Sequence, residues 1–122
     1  MLKLGEAVAR YLLLVLTNPV PGREEEFNYW YTNRHLDDVL KTPGFISAQR
    51  FAPTPVQVGD TPVPWNYFAL YDIETDDLKK SIDELMSRAG TPQMPVSEAM
   101  QPNPPVYVLQ AITERKTRDQ MA

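Results

Sequence analysis

The segment FNYWYTNRHLDD, Phe27 to Asp38, holds the densest set of chemically versatile side chains in the 122-residue sequence, including its only histidine, His35. An imidazole with an ordinary pKa of roughly 6.5 takes and gives protons near neutrality, which makes His35 the candidate general acid or base. Tyr31 stands four residues before it, and Tyr67 and Tyr71 follow in a later apolar segment. A tyrosine hydroxyl from this set can hold or polarise an oxygen on which charge develops. Trp30 and Phe51 add aromatic surface for a flat substrate, and Asn33 adds an orienting amide. Arg50 lies inside the segment FISAQRF. An unpaired charge there is expensive, so it needs a carboxylate partner or an anionic substrate group, a carboxylate or a phenolate. The candidate catalytic set is thus His35, Tyr31 and Arg50; the candidate substrate-binding set is Trp30, Asn33, Tyr67, Tyr71 and Phe51.

Each of these residues also has a structural use. His35 can be a neutral core histidine bonded to a carbonyl freed by a helix bend, Asn33 can be what breaks the helix, and the aromatic rings can be core. Arg50 can close an ion pair with Asp37, Asp38 or Asp72. Asp37 and Asp38 fit a solvated helix face or a cap of the segment after the bend better than an assisting role to His35. Met94 and Met100, in a long loop, can line a pocket or anchor the loop.

Several chemistries are excluded or lack support. With no cysteine the chain has no disulfide, thiolate metal site, iron–sulfur cluster or cysteine nucleophile. One histidine beside Asp37 and Asp38 gives too few converging ligands for a metal, so no metal or other cofactor is expected. There is no glycine-rich phosphate loop or nucleophile elbow. A net charge of −4, with twelve scattered Lys and Arg, argues against nucleic acid as partner. A small, aromatic molecule suits the composition better. The longest apolar run, Tyr11 to Leu16, is far short of the roughly 20 residues of a membrane span. Met1 to Arg10 carries charges and lacks the pattern of a signal peptide, so a cytoplasmic location is expected.

The elements that must position these residues fit one domain over residues 1–122. Tyr11 to Leu16 reads as a strand buried on both faces, closed by Asn18, Pro19 and the Pro21-Gly22 turn. Arg23 to about Leu40 reads as a helix whose first turn carries Glu24, Glu25 and Glu26, and which ends at Thr42-Pro43-Gly44. Its apolar stripe is broken: Phe27, Trp30 and Tyr31 form one line, and Leu36, Val39 and Leu40 another, displaced by more than a quarter turn. The helix should bend near Asn33 to His35. Phe45 to Phe51 and Asn66 to Ile73 read as strands, joined by a rigid loop holding Pro53, Pro55, Pro62 and Pro64. Ile46, Ala48 and Arg50 oppose Ser47, Gln49 and Phe51, while Tyr67, Ala69, Tyr71 and Ile73 oppose Phe68, Leu70 and Asp72. Thr75 is the expected cap of a second helix running to about Ala89, with Leu78, Ile82, Leu85 and Met86 on one stripe. Arg88 to Pro105, with five prolines, is a long irregular loop before a last strand, Tyr107 to Thr113, and a frayed tail.

The order βαββαβ is that of a ferredoxin-like α+β fold with a four-stranded antiparallel sheet. Two helices cover only one sheet face, and the apolar residues of the other need a lid; a second copy of the same sheet, making a homodimer, is the economical one.

The stretch NPVPGREEEFNYWYTNRHLDDVLKTPGFISAQRF, Asn18 to Phe51, resembles the EthD-like branch of the dimeric α+β barrel superfamily, through Trp30, Tyr31, His35, Leu36, the Pro43-Gly44-Phe45 turn, Arg50 and Phe51. The resemblance implies two sheets closing face to face as a dimeric α+β barrel, and a pocket between each sheet and its helices that the two long loops could wall. It leaves the reaction open. The expected function is a cofactor-independent acid–base enzyme of lyase, decarboxylase, isomerase or cyclase type on an aromatic or polyketide-like molecule, in which His35 moves the proton. Alternatives are a haem-dependent or cofactor-free monooxygenase, with His35 as axial ligand in the haem case, and a non-catalytic small-molecule-binding or stress-associated dimer.

Overall fold

The computed structural model of the chain describes residues 9–121; most of the segment read for a signal peptide lies outside them. Four strands form one antiparallel sheet: β1 (Ala9–Thr17), β2 (Phe45–Phe51), β3 (Tyr67–Thr75) and β4 (Val106–Gln110), in the order β2-β3-β1-β4. With helices between β1 and β2 and between β3 and β4, this is the ferredoxin-like arrangement.

Alternation along the strands decides what the helices cover. On β1, Leu13, Val15 and Thr17 are buried, while Leu12, Leu14 and Leu16 are half-buried on the opposite face. Within one chain the strand is therefore covered fully on one side only. On β3 the buried residues are Ala69, Tyr71 and Ile73, all from one of the two alternating sets. A bulge between Phe45 and Ser47 changes the reading of β2: Phe45, paired with Ile73, is the residue that enters the core, and Ile46 is exposed.

The expected helix bend is present as a change of helix type. Residues α1 (Glu24–Trp30) and α2 (Leu36–Leu40) are α-helical, and Tyr31–His35 between them forms a π-helical turn, in which the Leu36 N–H donates to the Tyr31 carbonyl five residues back. The wider turn absorbs the phase slip between the two apolar stripes. Phe27 and Tyr31 before or at it, and Asp38 and Val39 after it, are all buried, whereas Leu40 is exposed. The second helix, α3 (Leu78–Arg88), starts later than Thr75. Its cap is Asp77, whose side chain accepts from the Lys80 N–H at 3.1 Å. Thr75 closes β3 instead and accepts from the Ser81 hydroxyl at 2.8 Å. Of the expected stripe, Leu78, Ile82 and Leu85 pack on the core and Met86 is exposed.

The two long loops behave differently. Residues 52–64 are exposed throughout. The loop from 89 to 105 is an ordered strap across α1: Met94 and Ala99 are buried, Ala89 bridges Met94, and Pro19 bridges Met100. Met94 and Met100 are thus anchors. The last strand begins at Val106 and ends at Gln110, shorter than Tyr107 to Thr113, and is exposed along its length.

Candidate functional site

Arg50 rises from the helix-facing side of β2, opposite Ala69 of β3, and meets α1 and the π turn. Its guanidinium donates to the Asn28 side-chain carbonyl at 2.8 Å and to the Thr32 hydroxyl at 2.9 Å. Three aromatic rings surround it, with centroids at 4.7 Å (Tyr31), 5.1 Å (Tyr67) and 5.5 Å (Phe27). No carboxylate pairs with it among the described residues, contrary to the expected ion pair. Asp72 lies on the other face of the sheet and accepts from Ser47, with Arg10 nearby. Asp38 is buried and held by Arg34 at 2.7 Å, with Lys41 at 3.7 Å, which also corrects its reading as a solvated residue. Asp37 is exposed. Burial of the half-buried Arg50 lowers its pKa from the usual value, against the opposing pull of Tyr31, Tyr67 and Tyr71.

From Asn28 the hydrogen bonds continue outward. Its amide N–H donates to the Tyr67 hydroxyl at 3.0 Å, and that hydroxyl donates to the Glu24 carboxylate at 2.8 Å. The directions of these bonds fix the Asn28 amide, carbonyl toward Arg50.

Deeper in the same layer, Tyr71 donates its hydroxyl to that of Tyr31 at 3.2 Å, and both side chains are almost fully enclosed, at 1% and 2% exposed. Burial raises both pKa values, so the pair is neutral at all physiological pH.

His35 closes the π turn. Its ring lies 4.6 Å from Trp30, tilted by 31°, and 4.9 Å from the edge-on ring of Tyr31. The Nδ1 atom is buried and has no hydrogen-bond partner, so the imidazole is not bonded to a freed carbonyl through that atom. Desolvation pushes its pKa down to about 4, against a smaller upward pull from Asp38. The ring is therefore neutral at pH 7.

The structure brings together six of the eight predicted site residues: His35, Trp30, Tyr31, Arg50, Tyr67 and Tyr71. Trp30 packs on His35 and donates from Nε1 to the Pro95 carbonyl of the strap at 3.1 Å. Two residues fall elsewhere. Phe51 pairs with Phe68 on the sheet face opposite Arg50, and Asn33 is exposed, its amide donating to the Tyr29 carbonyl at 2.9 Å. Asn28, Thr32 and Glu24 were not foreseen. The available signal was the polar line Glu24, Asn28, Thr32 at spacing of four, one residue along from the aromatic line Phe27, Tyr31. The expected pocket between sheet and helices is occupied by side chains of the chain itself, Phe27, Tyr31 and Tyr71. A groove of about 590 Å³ lies instead on the outer side of α1, lined in part by Glu25, Tyr29 and Ser97, and touches neither His35 nor Arg50.

No family model matches the chain, and no curated protein matches it in sequence. Solved structures do. An EthD-like protein from Ralstonia eutropha JMP134 superposes with a TM-score of 0.59 at 11% identity, over 88% of this chain and 96% of that one. A protein proposed to be a monooxygenase, from Shewanella loihica PV-4, gives 0.51 at 18% identity over 82% and 93%. A haem-degrading protein from Mycobacterium tuberculosis, in its haem-free form, gives 0.50 at 14% identity over 87% and 99%. The resemblance read from Asn18 to Phe51 thus extends to the fold of nearly the whole chain. At these identities it is the α+β fold that is shared.

Proposed function

We propose that the chain is a cofactor-independent enzyme that moves a proton on a small aromatic or polyketide-like molecule, in a lyase, decarboxylase, isomerase or cyclase type of step. One observation carries the reading: His35 is held neutral against Trp30 and Tyr31 with Nδ1 buried and without a hydrogen-bond partner, where a purely structural histidine would have one. In this reading His35 is the general base. Tyr31 and Tyr71 lie beneath it as a neutral, hydrogen-bonded pair, and Arg50 binds at the rim. The test is a substrate survey by mass spectrometry with the unaltered protein and His35→Phe. The expected result is turnover that rises as pH increases through about 4, the pKa of the base, and that falls about 100-fold or more in the variant. Full turnover by His35→Phe overturns the reading. A cofactor-free oxygenation could use the same base, and oxygen uptake during turnover separates the two chemistries.

The residues present do not fit a haem. Trp30 packs on the His35 ring, and Phe27, Tyr31 and Tyr71 fill the layer beside it, so a porphyrin would have to displace the core.

For assembly we propose a homodimer through the face of the sheet that the helices leave open. Phe51, Phe68, Leu70, Leu12, Leu14, Leu16, Tyr107 and Leu109 share that face across all four strands, and Phe51, Tyr107 and Leu109 are 46%, 55% and 47% exposed. A twin sheet matches this surface in shape and chemistry and would bury upward of about 2,000 Å². Sedimentation across a wide dilution range should show a dimer throughout; a folded 13.9 kDa monomer at micromolar concentration excludes it.

A further inference from the structure

Arg50 is a half-buried cation that the fold holds without a counterion among the described residues. Both of its hydrogen bonds go to neutral oxygens, Asn28 Oδ1 and Thr32 Oγ1. Three of the five guanidinium N–H groups make no bond within the described residues. A chain that needed only to neutralise Arg50 had carboxylates at hand: Glu24 reaches toward it, yet stops at Tyr67, two hydrogen bonds away through Asn28. The polar chain positions the guanidinium and leaves its charge unspent. Thr32 is exposed and Tyr67 half-buried, so the cation lies at the rim of the helix layer, above the buried Tyr31 ring.

We propose that Arg50, held by Asn28 and Thr32, is the recognition site for an oxyanion carried by an aromatic ligand, typically a ring carboxylate. The inference deepens the function proposed above by naming the charge of the substrate, and it rests on that reading only for calling the ligand a substrate. The planar fork of Arg50 meets the two carboxylate oxygens, and the half-buried Tyr67 is the aromatic side chain beside it at the rim. Asn28 and Thr32 are positioning residues, and Glu24 and Tyr67 orient Asn28 in turn.

Ligand-observed NMR titration with benzoate, and with benzamide as its neutral analogue of the same shape, tests this at pH 7.5. The expected result is benzoate bound at least 10-fold more tightly than benzamide. The preference should vanish in Arg50→Gln and return in part in Arg50→Lys, while Asn28→Leu weakens benzoate several-fold and leaves benzamide unchanged. Circular dichroism confirms that each variant is folded, and Arg50→Lys keeps the test valid if Arg50→Gln is not. Equal binding of the two probes, or a benzoate preference that survives Arg50→Gln, overturns the proposal and leaves Arg50 as an aromatic-packed structural cation. Because benzoate binding is read without turnover, loss of the acid–base reading and loss of the anion site are separate outcomes.

Discussion

Acidification should unfold this protein partly through a single side chain. His35 has an ordinary pKa of 6.5 when the chain is unfolded and about 4 when folded, because burial disfavours the imidazolium. As pH falls, the unfolded chain takes up the proton first. The stability contribution is therefore complete above about pH 6.5 and is lost progressively toward pH 4. At 1.36 kcal/mol per pH unit of separation, the full loss is about 3 kcal/mol, and about 2 kcal/mol of it has gone by pH 5. That is a large share of the roughly 5–15 kcal/mol that holds an ordinary domain together. Carboxylates titrate over the same range, so the measurement is a comparison. His35→Phe retains a ring against Trp30 and Tyr31 and removes the titration, and relieving the unpaired Nδ1 should keep it within about 1 kcal/mol of the parent at pH 8. Urea unfolding at pH 8 and pH 5 should then show the parent losing about 2 kcal/mol more than the variant, a relative midpoint shift of roughly 1 M. Equal losses in the two proteins would refute the buried, neutral histidine, and with it the assignment of His35 as a base rather than an acid.

Other perturbations probe the core around the site. Tyr71→Phe removes the hydroxyl that donates to Tyr31 and should cost about 1–2 kcal/mol in thermal or urea unfolding. Because Tyr31 and Tyr71 both have raised pKa values, neither Tyr31→Phe nor Tyr71→Phe should reduce the phenolate absorbance that develops when the folded protein is titrated to about pH 10, the ordinary tyrosine pKa. Gly44→Ala, in the turn before β2, forces a side chain onto a backbone with φ of +94° and places its Cβ 2.9 Å from Ser81 Oγ; a loss of about 1–3 kcal/mol is expected, read from the denaturation midpoint.

The sequence carried the architecture because its signals were local and redundant. The β-branched and aromatic runs, the Pro-Gly turns and the alternation on β3 all pointed the same way, and even the broken stripe between Phe27 and Val39 marked the π turn. What failed was short-range choice among equivalent residues. Thr75 and Asp77 can both cap a helix, and only the end of β3 decides that Thr75 is still strand. One bulged residue moved Phe45 inward in place of Ile46. The cluster around Arg50 and His35 was legible as a set of residues, not as a set of bonds. Arg50 visibly needed a partner, but whether a carboxylate or a neutral amide meets it depends on the rotation of α1 over β2, which brings Asn28 and Thr32 rather than Asp37 to the strand. Phe51 was misplaced for the opposite reason: adjacent to Arg50 in sequence, it belongs by strand alternation to the other face of the sheet.

The π turn also separates length from shape in this chain. Its five residues, Tyr31–His35, span the arc that about four would cover in an α-helix. A shortened chain lacking one of them could close as continuous α-helix and still deliver Asp38 and Val39 to the interior, so the scaffold does not need the extra residue. What that residue does is displace Thr32 and His35 relative to the sheet beneath them. A single-codon insertion into an ordinary helix is thus enough to change which side chains a packing surface presents at its edge, and its removal would return the scaffold without the present placement of Thr32 beside Arg50.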